Sequence, residues 1–220
     1  MNELDHETAP AAPLAEILRP KTLDDVVGQA PLLGPQGGRL RLMLAHGSLG
    51  SIIFWGPPGS GKTTIARLLA DAADMAFEPI SAVFDGVGEL RKVFDRAAQR
   101  RRQGRRTLLF VDEVHRFNKA QQDGLLPRVE DGTVTLVGAT TENPSFALNG
   151  ALLSRAQVLV LERLDCTALE AILSRLEAHI GRNLPIDDEA RAVLLNMADG
   201  DGRYLLNMAS LLVEMPTTTR

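Results

Sequence analysis

The chain has 220 residues, 45% of them hydrophobic and 24% charged, with a formal net charge of -4. This usage suits one globular domain plus a smaller annex and excludes wholesale disorder or a collagen-like fibre. A solitary cysteine, Cys166, excludes an intrachain disulfide framework and a cysteine-built zinc site. No apolar run reaches the ~18 residues needed to cross a bilayer, and the polar, acidic start does not resemble a signal peptide, so a reducing, cytoplasmic setting is expected.

Residues 1–13, rich in Ala and Pro, read as a lead-in, and structure is expected from Leu14. Five short runs rich in Ile, Val, Leu or Phe follow, at 51–55, 77–82, 107–112, 133–139 and 157–161. They alternate with longer segments of helical period, the pattern of a five-stranded parallel sheet covered by helices on both faces. After the first run, Ile65, Leu68, Leu69 and Ala72 recur at i, i+3, i+4 and i+7, which predicts a helix with one face on the sheet. Beyond Leu161 three helical patterns remain: Leu169, Ile172, Leu173 and Leu176; Ala190, Val193, Leu194 and Met197; Leu205, Met208 and Leu212. Asp165, Asp187 and Asp201 stand where each would be capped. The boundary is expected near Arg163, with an α/β domain over 14–162 and a small helical annex over 163–220.

Gly56-Pro57-Pro58-Gly59-Ser60-Gly61-Lys62-Thr63 has two glycines separated by four residues and followed by Lys and Thr. It leaves a predicted strand and enters a predicted helix, so its backbone N–H groups and the helix N-terminus converge where a polyphosphate can be held. Glycine is required where a side chain would strike the phosphates or forbid the dihedrals. Lys62 would reach the β and γ oxygens of ATP, the Thr63 hydroxyl would ligate Mg²⁺, and Thr64 follows on the same turn. The third run, Leu108-Leu109-Phe110-Val111-Asp112-Glu113, delivers carboxylates to the carboxyl edge of the sheet, where α/β folds bind ligands. Asp112 would bind Mg²⁺ through its water shell. Glu113 beside it can polarise an attacking water, which points to hydrolysis.

Over residues 14–212 these features resemble the AAA+ ATPases. The phrases Asp112-Glu113-Val114-His115-Arg116-Phe117-Asn118-Lys119, Gly138-Ala139-Thr140-Thr141-Glu142-Asn143-Pro144 and Leu152-Leu153-Ser154-Arg155-Ala156 closely resemble the replication-associated recombination protein A family, whose eukaryotic relative is the Werner-helicase-interacting ATPase. The resemblance implies an ATP-binding α/β domain followed by a helical lid. It implies a sensor 1 hydroxyl at Thr141, with Thr140 as the alternative, and an arginine at Arg155 that completes the site of an adjacent copy. Gly200-Asp201-Gly202-Arg203 resembles the phrase opening the sensor 2 helix, so Arg203 would lean over the nucleotide. The family's alanine is here Gly202, which is expected to loosen that turn. Val27 and Gly28, within Asp24-Asp25-Val26-Val27-Gly28-Gln29, would approach the adenine, with Arg19 and Pro20 preceding them. Family members continue into a further C-terminal region that promotes tetramer formation, whereas this chain stops at Arg220.

Eight basic residues crowd one stretch: Arg91, Lys92, Arg96, Arg100, Arg101, Arg102, Arg105 and Arg106. They are expected either to contact a DNA backbone, in a salt-dependent and sequence-independent way, or to form a solvated face. His115 and Arg116 could relay such contact to the carboxylates. The function expected is a Mg²⁺-dependent, DNA-associated ATPase of replication-fork maintenance and recombination, with replication proteins as further partners. The alternatives are a nucleotide-sensing interaction module with slight hydrolysis and a clamp-loader-like ATPase subunit; a small-molecule kinase leaves Glu113 and Arg203 without a role.

Overall fold

The computed structural model describes residues 12–215, so all but the last two residues of the expected lead-in lie outside the description. Three short helices open it: α1 (Leu14–Ile17), α2 (Ala30–Leu33) and α3 (Arg39–Ala45). The α/β alternation then runs β1 (Ile52–Trp55), α4 (Lys62–Ala72), β2 (Ala76–Ser81), α5 (Val87–Arg102), β3 (Thr107–Asp112), α6 (Lys119–Glu130), β4 (Thr135–Thr140), α7 (Pro144–Ala147), α8 (Gly150–Leu153) and β5 (Gln157–Val160). Three longer helices close it: α9 (Cys166–Ile180), α10 (Asp188–Ala198) and α11 (Gly202–Val213).

The strands form one sheet in the order β2-β3-β4-β1-β5, and every pair is parallel. Successive residues of the inner strands face opposite sides, as the pleat demands. Ile52, Phe54, Leu108, Phe110, Val137 and Ala139 join the core under α4, while Ile53, Leu109, Val111 and Leu136 join the core under α5 and α6. Burial on both faces explains why these strands read as continuous apolar runs. Pro79 lies in β2, at the sheet edge, where its missing N–H breaks no inner ladder.

A third core joins α9, α10 and α11 around Leu164, Leu169, Leu173, Leu176 and Leu205, and Leu18, directly after α1, adds to it. Asp165, Asp187 and Asp201 cap these helices through their side chains. One expectation fails: Val193 and Met197, taken as part of the buried stripe of α10, are 51% and 56% exposed, while Leu194 and Ala198 make its packed face. An eleven-residue helix seated by Leu194 and Ala198, with Leu195 partly buried beside them, leaves Val193 and Met197 in solvent.

Candidate nucleotide-binding site

The loop between β1 and α4 crosses the carboxyl edge of the sheet, and Gly59 and Gly61 take φ of +67° and +99° in it. Such dihedrals are those an L side chain rarely adopts, which accounts for two of the three glycines. Gly56 has another cause: a β-carbon there would run into the carbonyl of Leu161, so it serves strand packing and not ligand clearance. Lys62 opens α4 with a buried side chain whose Nζ donates to the carbonyl oxygens of Gly56 at 2.8 Å and Pro57 at 2.7 Å. Burial holds its pKa below the ordinary lysine value, and the carboxylates of Glu113, Asp112 and Asp201 act against that shift. An ammonium held partly desolvated and facing carboxylates is suited to an anion with a bound cation.

The loop forms one wall of a cleft of about 430 Å³. Pro58, Gly59, Ser60, Gly61, Lys62, Thr63 and Thr64 line it, together with Asp112, Glu113, Thr141, Val27 and Arg203. Gly56, Pro57 and Gly28 fall outside that wall: the first two serve through their carbonyls, and Gly28 packs under Leu164 and Ala168. β4 lies between β1 and β3, which delivers Thr141 between the loop and the carboxylates. Thr140 is fully buried and bonded to His115, so Thr141 is the threonine that meets the cleft. Glu113 adopts φ +53°, a left-handed conformation uncommon outside glycine, which turns the chain sharply after Asp112. Among the described residues no cluster of three or more His, Cys, Asp or Glu could cage a metal. A cation held by Asp112, Thr63 and phosphate oxygens, the Mg²⁺ manner, needs none.

Sequence reasoning named Arg19 and Gln29 around the adenine segment without giving them a role, and did not name Glu16. Glu16 and Arg19 come from α1 and the turn after it, and Arg19 Nη1 lies 3.5 Å from Thr64 Oγ1 while its Nε is buried without a partner. An unpaired buried donor in a cleft wall fits an anionic ligand. Gln29, 3% exposed, bonds Ser60 O at 3.3 Å and Glu162 O at 2.9 Å, stitching the amino-terminal segment to both the loop and the lid connection. α1 holds four residues, too few for a periodic signal.

Two further expectations find their places. Arg155 is outside the cleft: its Nη2 lies 2.5 Å from Glu130 Oε1 and its Nη1 donates to Ala151 O at 2.8 Å. Of the basic stretch, Arg96 and Arg100 clamp Glu78 of β2, Arg106 donates to Ala73 O, and Lys92 pairs with Glu89. Arg91, Arg102 and Arg105 make no side-chain hydrogen bond or ion pair among the described residues. His115 is 3% exposed at its side chain, so it cannot touch DNA itself.

A parallel sheet of this order, a phosphate-type loop after β1 and paired carboxylates after β3 define a P-loop ATPase fold. The sequence profile of the ATPase family associated with various cellular activities (AAA) matches residues 52–164, and the chain belongs to that family. It is 46% identical over 217 residues to replication-associated recombination protein A of Escherichia coli K12, covering 96% of this chain and 48% of that one. It is 42% identical over 207 residues to ATPase WRNIP1 of Dictyostelium discoideum, covering 92% of this chain and 24% of that one. The chain thus spans about half, or less, of the curated relatives it matches. Among solved structures, the RuvB Holliday junction branch migration motor of Thermotoga maritima superposes with a TM-score of 0.71 at 28% identity, over 88% of this chain and 64% of that one.

Proposed function

We propose that this chain is the nucleotide-binding part of a Mg²⁺-dependent ATPase that acts on DNA in replication-fork maintenance and recombination, in the cytoplasm. The observation that carries this is the convergence of buried Lys62, Asp112 and Glu113 on one cleft closed from the lid by Arg203. Lys62 and the loop N–H groups orient the triphosphate, Val27 lies against the base, and Thr63 and Asp112 would hold Mg²⁺. When bound, that ion neutralises charge on the phosphate oxygens. Glu113 accepts the proton of the attacking water, Thr141 positions that water, and Arg203 couples the lid to the γ-phosphate. The names of the relatives, one a recombination protein and one a branch migration motor, support DNA as the partner.

The test is hydrolysis by the wild-type chain and by Glu113→Gln, with forked, single-stranded and duplex DNA at several salt concentrations. Glu113→Gln should keep ATP affinity and lose turnover, and DNA should raise the wild-type rate. Undiminished turnover in the variant would remove the water-activating role, and indifference to every DNA would remove the partner.

A second reading follows from Arg155, which is bound to Glu130 and stands away from its own cleft. One copy then binds nucleotide as a sensing module, and turnover requires Arg155 of another copy. Mixing Arg155→Ala with Glu113→Gln should restore part of the activity each lacks alone; no restoration would exclude the shared site.

A further inference from the structure

His115 is a buried titratable side chain beside the cleft to which the proposed mechanism gives no task. It sits on the 3-10 turn Val114–Arg116 directly after Glu113. Its Nδ1 is hydrogen-bonded to Thr140 Oγ1 at 3.0 Å and lies 3.3 Å from Glu113 Oε2. On the other side of the ring, Nε2 is 3.4 Å from Glu142 Oε1. Both nitrogens therefore face oxygen, and the ring plane is fixed from two sides. The turn itself is anchored, since Val114 is fully buried and stands against Gly138, where a β-carbon would meet Val114 Cγ1 at 3.1 Å.

These contacts join three parts of the site. Thr140 is the last residue of β4; its hydroxyl accepts the N–H of Glu142 at 3.0 Å, and its carbonyl accepts the N–H of Gly56, the first residue of the loop, at 3.2 Å. Glu113, by contrast, is partly exposed, and among the described residues no group donates a hydrogen bond to its carboxylate. Among the described residues, His115 is the basic side chain that comes within 4 Å of its carboxylate. A long carboxylate with several rotamers, placed on a left-handed backbone, would otherwise point at the water in only a fraction of the population.

We propose that His115 is a positioning residue: locked by Thr140 and Glu142, it sets where the Glu113 carboxylate points and ties that direction to the end of β4. The inference rests on the hydrolytic reading of Glu113. It assigns no proton to His115, only a place. Its reach extends to the surface, because Glu142 is 60% exposed at its side chain and is the outer end of the chain Glu142, His115, Glu113.

The experiment measures steady-state kcat and KM together with Mg-ATP affinity for the full chain and for His115→Ala, His115→Asn, His115→Gln and Glu142→Ala, each checked by thermal melting. Asn places an amide nitrogen near the position of Nδ1, and Gln places one near that of Nε2. His115→Ala should lower kcat by about 10-fold to 100-fold, the scale of a misplacement near 1 Å, with ATP affinity unchanged within about twofold. His115→Asn should recover most of that loss, and His115→Gln little of it, an order that general loss of packing would not produce. Glu142→Ala touches no core and should lower kcat by a smaller factor than His115→Ala, since Glu142 holds only the outer side of the ring. Wild-type kcat in His115→Ala, or equal losses in Asn and Gln, would overturn the proposal. If no His115 variant folds, a wild-type rate in Glu142→Ala overturns it and a reduced rate at unchanged affinity supports it. Undiminished hydrolysis by Glu113→Gln sinks the reading beneath it and is told apart by that control.

Discussion

Asp201 of the lid stands directly against Gly59 of the phosphate loop: a β-carbon at Gly59 would strike the Asp201 carboxylate and come within 2.8 Å of its Cα. The same carboxylate caps α11 by accepting the N–H groups of Arg203 and Tyr204, both at 2.9 Å. The loop and the helix carrying Arg203 are thus held at a separation that only glycine permits.

Gly59→Ala should therefore weaken both stability and nucleotide binding. The left-handed φ of +67° costs an alanine about 1–2 kcal/mol, before any displacement of the lid. A thermal melt should fall by about 2–4 °C for each kcal/mol lost in a chain of this size, and calorimetric ATP affinity should drop with it. Gly202→Ala is the contrast. Its added β-carbon would meet the tips of Ile172 and Leu164, at 2.9 and 3.0 Å, which can shift, and alanine suits a helix start better than glycine. Its melting temperature should stay within about 3 °C of wild type, a shift of roughly 1 kcal/mol. Gly202 thus packs the turn beneath the lid, and a melting temperature raised in Gly202→Ala would show that glycine loosens that turn.

Lys62→Met should lose ATP while the fold gains. Removing a charge-assisted contact to phosphate costs about 1.5–3 kcal/mol, or roughly 10- to 100-fold in Kd. The ammonium is buried, and its pKa is held below the ordinary 10.5 first by that burial. The unfolded chain then binds the proton more tightly than the folded one, so the folded state carries a penalty at neutral pH. Stability of the wild type should rise as pH climbs from the lowered value towards 10.5, and the advantage of Lys62→Met should shrink over that window. Melting curves of the two proteins from pH 7 upward check it; a wild type that is the more stable at pH 7 contradicts it.

How much of this was legible in the sequence depends on whether a signal was local. The loop and the Asp112-Glu113 strand end stood out because sheet burial makes β1 and β3 continuous apolar runs next to the residues they deliver. Thr141 could not be separated from Thr140 by pattern, because strand ends shift by a residue or two and a shift of one reverses the face. The roles of Arg19 and Gln29 were not legible for another reason: Gln29 bonds Glu162 across 133 positions, and nothing local marks that partner. The same holds for Arg96 and Arg100, which read as a free basic face until Glu78 of the edge strand is placed beside them.

Inside the lid, Arg191 of α10 clasps α9 through Glu177 at 2.8 Å and Glu170 at 2.5 Å, with side chains 21%, 14% and 42% exposed. The hydrogen bond from Arg191 holds the Glu177 carboxyl below its ordinary value of 4.5. A depressed carboxyl stabilises the fold above its unfolded pKa and ceases to as pH falls through the folded one. Arg191→Met should lower stability by about 1–3 kcal/mol at pH 7, since it leaves the largely buried Glu177 carboxylate without its guanidinium and with only the Leu184 N–H as partner. The gap between the proteins should begin to narrow as pH falls below about 4.5 and close further towards the depressed folded value, where Glu177 of the wild type takes its proton. Denaturant titrations at pH 7 and pH 3.5 decide it, and a gap independent of pH would show that packing alone joins the helices.

The basic stretch divides into two sets that should respond differently to substitution. Arg96 and Arg100 neutralise Glu78, which is 11% exposed at its side chain, so Arg96→Ala should act chiefly on stability. Arg91, Arg102 and Arg105 carry charge that no described protein group takes up. If the stretch meets a DNA backbone, these three supply the contact. Each phosphate contact contributes about 0.7 to the slope of log affinity against log salt for single strands and about 0.9 for duplex. The triple substitution Arg91→Ala, Arg102→Ala, Arg105→Ala should therefore flatten that slope by about 2 for single strands and about 2.7 for duplex, and weaken all DNA sequences alike, with an unchanged melting temperature. Fluorescence anisotropy between 50 and 300 mM salt, for example, measures it. A slope that does not move places the DNA contact elsewhere on the chain and leaves these arginines as a solvated face.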